Sequence, residues 1–146
     1  MRTTSKSSTA QSKKRIQALL RELAIRRDGG CVLSKRTDIS PCSGYSAGGN
    51  LILQYDHLHS RAFGVSFADL RLGVILCKGH HFWKSKVPGA KERYDDMIRE
   101  IIEPARVELW NRVKADRKIY HRTASDWDKE EMALIAELKN TDNNEY

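Results

Sequence analysis

No acidic residue precedes Glu22 in this chain of 146 residues, and only three cysteines and three prolines occur in it. Each shortage excludes something. Three widely spaced cysteines, an odd number, do not make a disulfide scaffold and fit a reducing compartment. No apolar run approaches the roughly 20 residues a membrane helix needs, so no membrane partner is expected. Residues 1–15 are mostly Ser, Thr, Lys and Arg without the apolar stretch of a secretory leader, and the expected location is the cytoplasm. With 40% hydrophobic residues and a mean hydropathy of −0.61, the chain is expected to be soluble with a modest core that needs extra support.

What is abundant is positive charge. The formal net charge is +7 and the isoelectric point is near 9.5, which predicts a polyanionic partner. Arg2, Lys6, Lys13, Lys14, Arg15 and Arg21 all come before the first carboxylate, whereas residues 125–146 are acidic. Lys13, Lys14 and Arg15 are therefore candidate nucleic-acid contacts. The plainer alternative is a basic surface that serves solubility alone.

The pattern divides into a disordered basic arm at residues 1–11, a domain over residues 12–120 and a C-terminal helix with an acidic tail at 121–146. Ile16, Leu19, Leu20 and Leu23 recur at helical spacing, so residues 12–27 read as an amphipathic helix stopped by "DGG". Residues 31–50 are rich in turn formers. "LILQYDH" and "LGVILC" read as two strands, and "HHFWKSK" opens a helix that stops near Pro88. Tyr94, Met97, Ile98, Ile101 and Ile102 mark a further helix, broken at Pro104 and continued through Val107, Leu109, Trp110 and Val113. Ser125 and Asp128 have the spacing of a capping box for a last helix carrying Leu134, Ile135 and Leu138. The expected class is α+β.

Two knots of ligand-type residues stand out. Cys77 and His80, two residues apart at a strand exit, can share a tetrahedral metal, and Cys31 and Cys42 are the remaining thiols that would complete a structural Cys3His zinc site. Such a site would tie the turn-rich segment to the strand–helix junction. The alternative is three thiols buried as small apolar groups without metal. His81 points about 100° away from His80 on a helix, free to face Asp56. A carboxylate and an imidazole from different elements, with room left for water and phosphate oxygens, describe a site for catalytic Mg²⁺ or Mn²⁺. His57, beside Asp56, suits a proton acceptor at neutral pH.

The sequence "DHLHSR … LCKGHHFWK", over residues 31–86, resembles the HNH or ββα-metal endonucleases. The flanking helices and "YDDMIREIIEP" more loosely resemble the phage NinG/Rap recombination nucleases. The resemblance implies a ββα-metal core with a zinc-stabilised knuckle, flanked by an N-terminal helix and C-terminal helices. It further implies that His57 is the general base, that Asp56 and His81 hold the catalytic ion, and that Arg61 holds phosphate beside the reacting group. Lys84 and Lys86 would extend the phosphate-binding face, the plainer alternative for both being a solvated helix face; His59 has no fixed place in the motif and is either a phosphate or DNA contact or an exposed polar side chain. The family's central Asn falls at Leu72, so Asp69 or another group must hold the loop. DNA, double-stranded or branched, is the implied partner; a phage protein acting in the host cytoplasm as a homodimer is the implied setting. A catalytically inactive, zinc-stabilised DNA-binding module is the alternative.

Overall fold

The computed structural model describes residues 4–59, 64, 66–116 and 120–144. Among them, five helices surround a two-stranded antiparallel sheet, in the order α1 (Thr4–Asp28), β1 (Leu53–His57), a 3-10 turn (Leu70–Leu72), β2 (Gly73–Cys77), α2 (Lys78–Lys86), α3 (Ala90–Ile101), α4 (Pro104–Ala115) and α5 (Ala124–Asn144). The mixed helix-and-strand class expected from the sequence is what the chain adopts.

Helix α1 starts earlier than its apolar spacing predicts. Residues 4–11, expected to be disordered, are helical. They contain no Gly or Pro to stop growth, and Ser12 is already buried, so each added turn propagates from an anchored one. The helix ends where predicted: Gly29 takes φ +75° and donates its N–H to the Ile25 carbonyl at 2.8 Å, a glycine-terminated C-cap. The first strand is shorter than expected, with Leu51 reduced to an isolated bridge to Tyr45. Pro104 begins α4 at a position where its missing N–H costs nothing. The cap of α5 lies two residues before the expected one. Thr123 Oγ1 accepts from Asp126 N at 3.2 Å while Thr123 N donates to Asp126 Oδ2 at 2.9 Å, so the reciprocal pair is Thr123/Asp126, not Ser125/Asp128.

In the sheet Leu53 faces Cys77, Asp56 faces Val74 and His57 faces Gly73. Every residue of β2 is buried, because both of its faces are covered. One core joins Leu33, Val74, Leu76, Tyr94, Ile98 and Trp110; a second joins Ile16, Leu20, Leu23, Phe67, Trp127 and Leu134. The second core holds α1 against α5. Arg15 pairs with Glu131 and Arg26 with Asp142, and both pairs span 116 residues, so the two helices run parallel. The acidic last helix thereby covers part of the basic first one.

The turn entering β2 is clamped from two sides. Arg27 donates to the Leu70 and Gly73 carbonyls, both at 2.7 Å, and Arg106 donates to those of Arg71 and Gly73, both at 2.8 Å. Gly73 is extended (φ −151°), a conformation open to any residue, yet a Cβ there would lie 1.9 Å from the Tyr55 ring. Gly73→Ala is therefore expected to cost about 1–3 kcal/mol through overpacking alone. Urea unfolding checks this, and an unchanged midpoint would show that the Tyr55 ring yields freely.

Candidate functional site

The β hairpin and α2 carry two polar centres on opposite sides. The first forms where residues 31–44 return to the start of α2. Val32 N donates to the Ile75 carbonyl at 3.0 Å, Gly79 N to that of Ser43 at 3.0 Å and Ile52 N to that of Gly44 at 2.9 Å. Gly44 is required there: its φ is +91° and a Cβ would sit 2.6 Å from Lys78 Cβ. Cys77 caps α2, its Sγ accepting from His80 N at 3.3 Å.

Around His80 Nδ1 stand Cys31 Sγ at 3.4 Å, Cys42 Sγ at 3.8 Å and Cys77 Sγ at 3.3 Å. All four donor atoms lie within 4.8 Å of one another. A tetrahedral zinc with Zn–S of about 2.3 Å and Zn–N of about 2.0–2.1 Å places its sulfur and nitrogen ligands about 3.6 Å apart. The group could therefore hold a structural metal such as zinc. Its outer support is in place too: the His80 Nε2–H donates to the Ser40 carbonyl at 2.7 Å, which turns the Nδ1 lone pair towards the sulfurs. Burial and the neighbouring sulfurs push the Cys42 thiol up to about 12, and burial raises that of Cys31.

The second centre is a cleft of about 500 Å³ between β1, α1 and α2, with Asp56, His57, His59, His81 and Lys84 in its lining. Asp56 is buried. Its Oδ2 accepts from the Tyr94 hydroxyl at 2.6 Å, while Oδ1 lies 3.5 Å from His81 Nε2 and 2.5 Å from Lys84 Nζ. Both carboxylate oxygens are thus engaged by the protein, Oδ2 by Tyr94 and Oδ1 by Lys84, with the His81 imidazole close to Oδ1. Ligands about 2.1 Å from one Mg²⁺-like ion, at or slightly beyond a right angle, are about 3.0–3.4 Å apart. The 3.5 Å between Asp56 Oδ1 and His81 Nε2 lies just beyond that range, and an ion on Oδ1 would have to displace the Lys84 ammonium.

His57 alternates to the other side of β1. It is half-buried, stacked on Phe67 with ring centroids 5.2 Å apart and edge-on to Tyr55 at 5.0 Å. Its Nε2–H donates to the Phe67 carbonyl at 3.0 Å, which makes Nδ1 the basic nitrogen of the neutral ring. His59 is buried rather than exposed, and burial pushes its imidazole towards the neutral form.

The other candidates differ in how they are engaged. Arg61 lies outside the described residues. Lys84 is committed to Asp56, whereas Lys86 is exposed at the end of α2. Arg15 is taken up by Glu131 and Ser12, Lys13 sits over the Trp127 ring at 5.4 Å, and Lys14 is exposed. In place of an Asn at Leu72, Asp69 Oδ1 accepts from Arg71 N at 3.0 Å and the Tyr55 hydroxyl donates to the Asp69 carbonyl at 3.3 Å. The sequence reading missed Tyr94, which its helical spacing assigned to the core, and Arg21, Gln17 and Gln54, which also line the cleft. Spacing marks a side chain's face and carries no signal for what its polar tip meets. No helix among the described residues is long and apolar enough to cross a membrane. No protein-family model matches the chain, and neither a curated protein nor a solved structure does.

Proposed function

We propose that this protein is a metal-dependent DNA endonuclease of the HNH (ββα-metal) type, with a zinc-stabilised knuckle and a separate catalytic site for Mg²⁺ or Mn²⁺. One observation carries the reading: Asp56 from a strand and His81 from a helix converge to 3.5 Å in a cleft that His57 also lines. A structural zinc module has no use for that second donor set.

A divalent ion held by Asp56 and His81 would supply Lewis-acid stabilisation of the charge that develops on the phosphate and the departing 3′ oxygen. The protein's own groups do the rest. His57, held at Nε2 by the Phe67 carbonyl, is the general base for the attacking water. Tyr94 keeps Asp56 from rotating, so that Oδ1 stays aimed at His81. Phe67 and Tyr55 hold the His57 ring by packing on its face and edge. The resemblance to recombination nucleases extends the proposal to branched DNA, and competition of a labelled four-way junction against linear duplex of equal length checks it; equal affinity argues against structure selectivity.

Plasmid nicking with Mg²⁺ or Mn²⁺ tests the assignment. The wild type is expected to nick and His57→Ala to lose at least about 100-fold, the usual worth of a general base. Equal activity of the two proteins, or none from either across metals and DNA forms, sinks it. A second reading is an inactive DNA-binding module, favoured by the Lys84 ammonium 2.5 Å from Asp56, which neutralises the carboxylate without an ion. It predicts salt-sensitive DNA binding with no nicking.

A further inference from the structure

The cleft contains a cation that the two metal centres do not use. Gln17 and Arg21, four residues apart on α1, form the wall facing Asp56 and His81. Two side chains of fixed positive charge occur in this lining, and their situations differ. Lys84 is compensated by Asp56. Arg21 instead donates Nε–H to the Leu53 carbonyl at 2.9 Å, a neutral partner that fixes the fork without offsetting its charge. Many arginines elsewhere are matched with carboxylates, among them Arg15, Arg26, Arg36, Arg71, Arg106 and Arg122. In the same cleft, on the face of β1 that carries Asp56, the Gln54 carboxamide oxygen is buried without a hydrogen-bond partner among the described residues. A half-turn of that amide would present N–H donors at the same place.

A guanidinium anchored at Nε with no carboxylate partner among the described residues, in one cleft with an amide whose oxygen is unmet there, is suited to an anion with several acceptor oxygens. We infer that Arg21, assisted by Gln54, is the anchor for a backbone phosphate of the nucleic acid in this cleft, the role that the sequence placed on Arg61 and Lys84. The inference rests on the cleft receiving a phosphodiester, although it does not require that the bond be cut. Arg21 and Gln54 line the same cleft as the Asp56–His81 pair. The occupant of that anchor is a phosphate of a polynucleotide; free phosphate shares the chemistry without the chain on either side.

The test uses zinc-loaded full-length protein without added Mg²⁺ or Mn²⁺, and fluorescence anisotropy on a labelled duplex at several salt concentrations. Arg21→Gln is expected to bind about tenfold more weakly near 0.1 M salt and to lower the slope of log affinity against log salt by about 0.9, the signature of one lost phosphate contact. Arg21→Lys keeps the charge, so its slope should match the wild type while affinity falls part of the way. Thermal unfolding of both variants should match the wild type. Inorganic phosphate should displace the duplex no better than chloride at equal ionic strength; specific displacement at low millimolar phosphate would reassign the site to the free anion and overturn the proposal. An unchanged slope in Arg21→Gln overturns it, as does equal weakening by Arg21→Lys with a lowered melting temperature, which marks a purely structural bond to Leu53. Nicking by the wild type with an unchanged Arg21→Gln slope removes the anchor and leaves the nuclease reading standing. The reduced slope without any nicking keeps the anchor and removes the nuclease.

Discussion

Removing a zinc of the kind that the Cys31–Cys42–Cys77–His80 group could hold is expected to unfold much of the domain, not merely to loosen a surface loop. Residues 31–50 contain Pro41, Gly44, Gly48 and Gly49 and contribute Leu33 as their large buried aliphatic side chain. Little apolar burial therefore offsets the entropy of ordering this segment. A zinc held by three thiolates and one imidazole contributes on the order of 10 kcal/mol of folding free energy, comparable with the whole stability of a typical domain, about 5–15 kcal/mol. The centre also contains the cap of α2, so its loss would disturb the helix that presents His81. Cys42→Ala or treatment with a strong chelator is expected to lower the melting temperature by more than about 10 °C, with metal release measured in parallel. A melt unchanged by chelation would mean that the three thiols are buried without a structural ion.

The pH dependence of this centre has a definite sign. The thiols of Cys31 and Cys42 are raised, that of Cys42 to about 12, so at neutral pH the metal-free fold carries them protonated. The metal-bound fold must give those protons up. It binds fewer protons than the metal-free state, and stability contributed by the ion therefore falls as pH falls. Without metal, both the folded and unfolded thiols are protonated below their unfolded value, and they contribute no such dependence near neutrality.

The second large effect is expected at Asp56. Its side chain is 4% exposed and pairs with a Lys84 side chain that is 12% exposed, while the fully buried Tyr94 donates to its other oxygen. Asp56→Ala would leave an ammonium and a hydroxyl facing a hole without an acceptor. Breaking a buried pair from one side costs about 3–5 kcal/mol. Asp56→Asn retains an oxygen for Tyr94 and should lose less, and Tyr94→Phe should lose about 1 kcal/mol. Urea unfolding at constant slope gives the order. Mn²⁺ binding followed by electron paramagnetic resonance should be lost in both Asp56 variants and weakened in Tyr94→Phe, whose carboxylate is free to turn. Asp56→Ala as stable as the wild type would contradict the buried network.

Much of the local architecture was legible before any coordinates. Gly29 and Pro104 end and begin helices where their backbone preferences put them, and Cys77-x-x-His80 at a strand exit marked two members of a group that could hold one metal. The errors arose where a competing local pattern existed. Ser125 and Thr123 both precede an Asp by three residues, and the backbone decided between them. The polar composition of residues 4–11 resembled an arm, whereas the anchored turn at Ser12 lets the helix continue backwards.

The sequence alone determined the inventory of ligands, the helix stops and the surplus of positive charge, because these depend on residue type and on neighbours within a turn or two. Tertiary structure decided which of those charges remain available. Arg15 meets Glu131 across 116 residues, Lys84 meets Asp56 across 28 and Tyr94 reaches Asp56 across 38. Partners at such distances are selected by how the two cores pack, and packing also leaves Arg21 in the cleft with a carbonyl where Arg15 and Arg26 have a carboxylate.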